Sequence, residues 1–332
     1  MQIKDVRRLK DVDPDNFCQE FLDSGPGEPV IVTDAMKHWE AAHWDFTFLR
    51  KRFEDKLLNI ASSMKEAKRT RWIKMNEYLD YVENRESHPL RKLEGRTPFY
   101  AYTLKPFTKY SDLLNHFTTP YFIEKNDLYA TLDPSMRTAM NPGWIMLGPE
   151  NTVSALHQDF FSTHTWFGQI CGEKRFHLFA PDQSDYLYGG HADPANPDYD
   201  RFPKLKDATV YVADVGPGEV LCQPAKWWHH VVSQSPSITL AFEFLSPGTF
   251  GPFLKEIFQG LPNAIGRFMS SPETREALQL NWQVRGFDFG EPGKPISPDK
   301  KMQSDTPAVA AVPSPLHLET LSYPTNRKGN NE

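Results

Sequence analysis

Between about residue 143 and residue 245, short apolar stretches alternate with Gly, Pro and Asp punctuation. They are Trp144–Leu147, Thr165–Ile170, Lys174–Phe179, Thr209–Val215, Glu219–Gln223, His230–Ser233 and Ser237–Leu245. Many short strands separated by turn residues predict a β-sandwich or barrel. The front of the chain is mixed. Glu28–Thr33 reads as a strand entered from the Gly25-Pro26-Gly27 turn. Asp45 is placed to cap a helix carrying Phe46, Leu49 and Phe53 at helical spacing, and Asn76 to cap one carrying Tyr78, Leu79 and Val82. Ser111-Asp112 opens a shorter helix. Helical spacing returns after Pro247: Pro252 begins a helix that Gly260 ends, and Ser271-Pro272-Glu273 begins another through Leu278 and Trp282. The expectation is one unit over residues 1–290. It has mixed α/β elements first, a β core over about 143–246, then helices over about 250–284. Residues 291–332, rich in Pro, Ser, Lys and Asn, read as a flexible tail.

Composition narrows the class. Aromatic residues make up 13% of the chain, enough for a substantial core, and the formal net charge of -6 lacks the broad basic footprint of a nucleic-acid binder. Only the local stretch Lys65–Lys74 is basic. Three cysteines without regular spacing (Cys18, Cys171 and Cys222) argue against a disulfide scaffold and suit a reducing compartment. No apolar run reaches the ~18 residues of a membrane span, and the polar start MQIKDVRRLK shows no secretory pattern. The expectation is a cytoplasmic protein.

The chemistry centres on His157-Gln158-Asp159. In an extended chain residues i and i+2 project to one side, so an imidazole and a carboxylate can meet at one point. A second imidazole from the Trp227-Trp228-His229-His230 segment would complete two His and one carboxylate. That set leaves coordination positions open and suits non-haem Fe(II); a closed zinc site would not. The competing reading of H-x-D is a surface turn without metal. However, His157 follows the apolar run Val153–Leu156 and Asp159 precedes Phe160-Phe161, so this polar pair calls for a partner. Lys174 shares a strand face with Phe176 and Leu178; it either meets an anion there or snorkels to water at the strand edge.

With these motifs assembled, the sequence resembles the JmjC/cupin 2-oxoglutarate oxygenases, most nearly the asparaginyl hydroxylases that act on hypoxia-inducible factor. The resembling segments include His157-Gln158-Asp159, Gln169–Arg175, Leu178–Gln183, Asn196–Pro203, Val215–Gly218, Trp227–His230 and Ser237–Thr239. The resemblance implies a double-stranded β-helix (cupin, or jelly-roll) core with flanking helices. It implies Fe(II) held by His157, Asp159 and His229, and 2-oxoglutarate anchored by Lys174, Ser154 and Tyr129. O2 and a peptide or small-molecule substrate would complete the reaction, in which a C–H bond is hydroxylated and succinate and CO2 are released. N-methyl demethylation by the same chemistry and a non-catalytic cupin binding module are the alternatives. A homodimer through the C-terminal helices is also implied. His164 and Ala241 stand where the resembling proteins carry Asn and are candidate pocket residues, although an exposed loop is the other reading of His164. Glu243 shares a strand face with Thr239 and Ala241, and there it either meets a cationic substrate group or forms an ion pair at the strand end.

Overall fold

The computed structural model describes residues 1–54, 56–62, 70–131, 141 and 143–268. The strands are β1 (Gln2–Asp5), β2 (Arg7–Leu9), β3 (Val30–Val32), β4 (Leu57–Ala61), β5 (Thr70–Lys74), β6 (Ala101–Leu104) and β7 (Trp144–Gly148). They continue as β8 (Val153–His157), β9 (His164–Cys171), β10 (Lys174–Phe179), β11 (Thr209–Val215), β12 (Val220–Gln223), β13 (Trp228–Ser233) and β14 (Ser237–Phe244). The helices are α1 (Phe46–Phe53), α2 (Met75–Glu83) and α3 (Pro247–Phe268).

Two sheets form the core, in the order β1-β11-β10-β13-β8 and β2-β3-β12-β9-β14-β7-β6. Side-chain alternation explains how they stack. Ile31, Phe167, Leu221 and Ala241 from the larger sheet share one buried cluster with Phe176, Leu178, Ala213, Val215 and Val231 from the smaller. The other face of the larger sheet packs Trp166, Ile170, Ile238 and Leu240 against Leu49 and Phe53 of α1 and Tyr78 and Leu79 of α2. This two-sheet packing is the sandwich expected from the strand pattern and the jelly-roll core implied by the resemblance. The outer face of the smaller sheet is covered by the 181–207 segment, through Leu187, Phe202 and Leu205.

Several local expectations need correction. The N-terminus supplies two strands the pattern did not announce: β1 pairs in parallel with β11, and β2 with β3. Both are mostly exposed, so no apolar alternation marks them. Asp45 does cap α1, accepting from the Phe48 N–H, whereas α2 starts at Met75 with Asn76 already inside it. The final helix starts at Pro247 rather than Pro252 and runs through Gly260. Ser246 Oγ accepts from the Thr249 N–H while Thr249 Oγ1 accepts from the Ser246 N–H, a reciprocal cap that with Pro247 in the first turn fixes the start. The second helix expected from Ser271 and the 291–332 tail lie outside the described residues. Among the described residues no helix is long and apolar enough to cross a membrane.

Candidate metal centre

β8 and β13 are neighbours in the smaller sheet, and their register sets His157 opposite His229. The imidazole rings lie 4.0 Å apart between centroids. Asp159 is not on the strand; it lies two residues beyond its end, in the loop before β9. The loop turns its carboxylate back so that Oδ1 is 3.9 Å from the Nε2 of each histidine. Two atoms each about 2.1 Å from one ion are at most about 4.2 Å apart, so this spacing admits a shared metal.

The surroundings aim the ligand atoms. His157 Nδ1 is 2.6 Å from the Ala155 carbonyl. A carbonyl only accepts, so Nδ1 carries the proton and Nε2 keeps its lone pair. His229 Nδ1 faces the Trp227 carbonyl at 3.4 Å and the Gln223 amide at 3.2 Å. Gln223 Oε1 is otherwise buried without a partner; with the amide turned over it accepts the Nδ1 proton, again freeing Nε2. Thr165 Oγ1 donates to Asp159 Oδ2 at 3.1 Å, which leaves Oδ1 for the ion. His230, on the opposite face of β13, stands 3.4 Å from His177.

Strand parity alone would put Ser154 and His157 on opposite faces. A bulge on β8 resolves this: two residue steps along β13, from His229 to Val231, match three along β8, from His157 to Ser154. Both side chains therefore reach the interior, together with Lys174.

Lys174 is 1% exposed, and its ammonium donates to the Tyr100 hydroxyl at 2.9 Å. Among the described residues no carboxylate lies within ion-pair distance of it. Burial alone lowers its pKa from 10.5 to about 7. The Tyr100 hydroxyl is also hydrogen-bonded to Ser154. Gly148 admits the ring, since a Cβ there would sit 2.8 Å from Tyr100 Cδ2. Tyr129, the tyrosine expected at this point, lies elsewhere: it packs with Leu245 and Phe253. The alternating run Phe99-Tyr100-Ala101-Tyr102 was the available sign of an inward-facing tyrosine at β6. With 2-oxoglutarate as the anion expected from the resemblance, Tyr100→Phe, which removes the ammonium's hydrogen-bond partner, should lower affinity for it about tenfold, measured by titration calorimetry.

The three remaining candidates divide. Ala241 is buried in the interior cluster between the sheets. Glu243 follows two residues on, its carboxyl raised to about 7 by burial and by the neighbouring Asp159, with Lys105 pulling it the other way. Among the described residues it forms no ion pair, so the strand-end ion pair is absent. His164 neither lines the pocket nor sits in an exposed loop. It is buried at the start of β9, with Nδ1 accepting from the Ala225 N–H and Nε2 facing Ser246 Oγ and Asp23. Both ring nitrogens are committed: Nε2 ties the cap of α3 to the core, and Nδ1 holds the turn before β13.

The donor set therefore suits an ion with open positions, and the buried ammonium suits an anion. Among the described residues this is the one cluster of three or more metal-ligating side chains with this convergence.

Residues 14–247 match the cupin-like domain family. The chain is 26% identical over 233 residues to Jumonji C domain-containing protein 5 of Drosophila melanogaster, covering 65% of this chain and 54% of that protein. It is 22% identical over 260 residues to Lysine-specific demethylase JMJ21 of Arabidopsis thaliana, covering 74% and 26%. It is 24% identical over 253 residues to the bifunctional arginine demethylase and lysyl-hydroxylase psr-1 of Caenorhabditis briggsae, covering 71% and 60%. The chain thus spans about a quarter to three fifths of the length of these relatives. With its two-sheet core and its residues 14–247 accounted for in this way, the chain belongs to the cupin-like domain family, and JmjC-domain proteins are among its relatives.

Proposed function

We propose that this chain is an Fe(II)- and 2-oxoglutarate-dependent oxygenase that acts on a positively charged group of a peptide side chain or small molecule. One observation carries the reading: two imidazole Nε2 atoms and one carboxylate oxygen converge in the same interior that holds a buried lysine with no carboxylate partner among the described residues. When bound, Fe(II) and 2-oxoglutarate supply the means to insert one oxygen atom of O2 into a C–H bond, with the other ending in succinate and one carbon leaving as CO2. The protein's part is to hold and orient. His157, Asp159 and His229 hold the ion on one side. Lys174, Tyr100 and Ser154 receive the far carboxylate of the keto acid. Lys174 lies opposite Ser233 and His229 lies opposite Leu178, so the two sites stand four residues apart along the β10–β13 ladder. That is about 13 Å of strand, a gap that a lysine side chain and a five-carbon diacid together bridge.

Glu243 sits beside Asp159 with its carboxyl raised to about 7, so a cationic group bound there would draw it into its charged form, which supports a cationic substrate group. The names of two relatives, a lysine-specific demethylase and an arginine demethylase and lysyl-hydroxylase, are in keeping with that. Phe160 and Phe161, exposed immediately after Asp159, offer apolar surface for the rest of a peptide. If the positively charged group carries an N-methyl substituent, hydroxylation at that carbon releases formaldehyde, which makes demethylation the second reading.

Succinate release from 2-oxoglutarate in the presence of Fe(II), ascorbate and O2 tests the assignment. Folded protein that neither binds Fe(II) nor forms succinate with any lysine- or arginine-containing peptide would be a binding module instead. Glu243→Gln is expected to raise KM for a cationic peptide about tenfold or more, as loss of a buried charge pair does, with little change for a neutral analogue. Equal effects on both substrates would remove Glu243 from substrate recognition.

A further inference from the structure

We propose that Glu256 of α3 is a positioning residue for the metal centre, and that it holds in place the loop carrying Asp159 and the turn that leads into His229. The inference rests on the metal-site reading above. The loop after β8 contains Asp159 and, three residues on, Ser162. The turn before β13 contains Lys226, three residues ahead of His229 on the strand itself. Glu256 reaches both. Its Oε2 accepts from the Ser162 N–H at 2.8 Å and its Oε1 from Ser162 Oγ at 2.8 Å. The Lys226 ammonium lies 3.1 Å from Oε1 and 3.3 Å from Oε2.

The two loops are also tied directly to each other. Lys226 Nζ donates to the Phe160 carbonyl at 2.9 Å, and Gln158 Nε2 donates to the Lys226 carbonyl at 2.5 Å. Lys226 holds a left-handed backbone, φ 62°, which a non-glycine residue adopts at a cost and keeps only when its surroundings impose it. These contacts surround Asp159 on both sides and fix the approach to His229. Strand pairing does not set the position of Asp159, which lies off the strand, while His229 is paired and sits one residue into the strand that the Lys226 turn enters.

A half-exposed ion pair by itself contributes little. The carboxylate does more because one of its donors is the amide of Ser162, a residue that is 7% exposed and needs an acceptor. Partners of this kind around a metal site change affinity about 10–100-fold when removed. Glu256 touches no metal ligand, so its effect passes through the loop geometry.

The test is a Co(II) titration of the full chain, followed by visible absorption, with thermal melting of each variant in parallel. Glu256→Ala should weaken Co(II) binding about tenfold or more at a melting temperature near wild type, and Glu256→Gln, whose amide oxygen still accepts from Ser162, should recover most of it. A folded Glu256→Ala protein with Co(II) affinity within twofold of wild type overturns the proposal. Should Glu256→Ala fail to fold, the Ser162→Ala/Lys226→Met pair removes the same contacts from the other side and is read by the same criterion. His157→Ala serves as the reference for loss of a ligand. If wild type and His157→Ala are alike in not binding Co(II), the metal reading itself fails, and the role of Glu256 with it.

Discussion

Lys174→Met is expected to abolish productive 2-oxoglutarate binding while making the ligand-free protein more stable. The two effects have one origin. Among the described residues the buried ammonium has only the Tyr100 hydroxyl as a partner, so the ligand-free fold carries the cost of desolvating it. Methionine keeps the stem's volume and removes the charge. Melting temperature should rise, by roughly 2–4 °C for each kcal/mol relieved. Affinity for the keto acid should fall by about 30-fold or more, the range for removing one partner of a buried charge pair.

The pH dependence follows with a definite sign. Lys174 titrates near 7 in the fold and near 10.5 in the unfolded chain. Between those values the unfolded state binds more protons, so this residue makes stability rise with pH across the window. Lys174→Met should flatten that rise. A carboxylate bound beside Lys174 favours the charged form, so 2-oxoglutarate affinity should drop as pH climbs above about 7. Calorimetric titrations at several pH values and melting curves of both proteins check the two slopes. A destabilised Lys174→Met protein, or a pH-independent affinity, would mean that Lys174 already has an anionic partner in the fold.

Asp159→Ala should remove 2-oxoglutarate turnover altogether. Asp159 is the single anionic donor of the three, and its Oδ1 is the atom equidistant from both imidazoles. Its loss should cost more than the ~100-fold that removing a supporting partner typically costs in metal affinity. The fold should survive, because the side chain lies in a loop and its other partner, Thr165, is held by the β9 ladder with β12 and β14. Thermal melting alongside succinate release separates loss of the site from loss of the structure.

The parts of this site legible in the sequence were those that depend on residue type and short spacing. His157 and Asp159 stand two apart, and Lys174 shares a parity with Phe176 and Leu178, as its inward position in β10 requires. The strand pattern of the second half was legible for the same reason: its interior positions alternate. What escaped reading depends on register between distant segments. The β8 bulge that brings Ser154 and His157 to one face leaves no local mark. Tyr100 takes its place beside Lys174 through a contact spanning 74 positions. His164 looked like a pocket or loop residue, since its neighbours Asp23, Ser246 and Ala225 are far from it in sequence. The start of α3 was written in Ser246-Pro247, a cap followed by a first-turn proline, yet the stronger apolar spacing after Pro252 drew the boundary five residues late.

Anaerobic titration of the Fe(II)-loaded protein with 2-oxoglutarate addresses the central claim most directly. Chelation of a keto acid by Fe(II) produces a visible charge-transfer band that neither component gives alone. The band should appear at one equivalent, vanish in Asp159→Ala and require much higher 2-oxoglutarate in Lys174→Met. A folded wild-type protein that gives no band, or a band unchanged by Asp159→Ala, would contradict a shared ion at His157, Asp159 and His229.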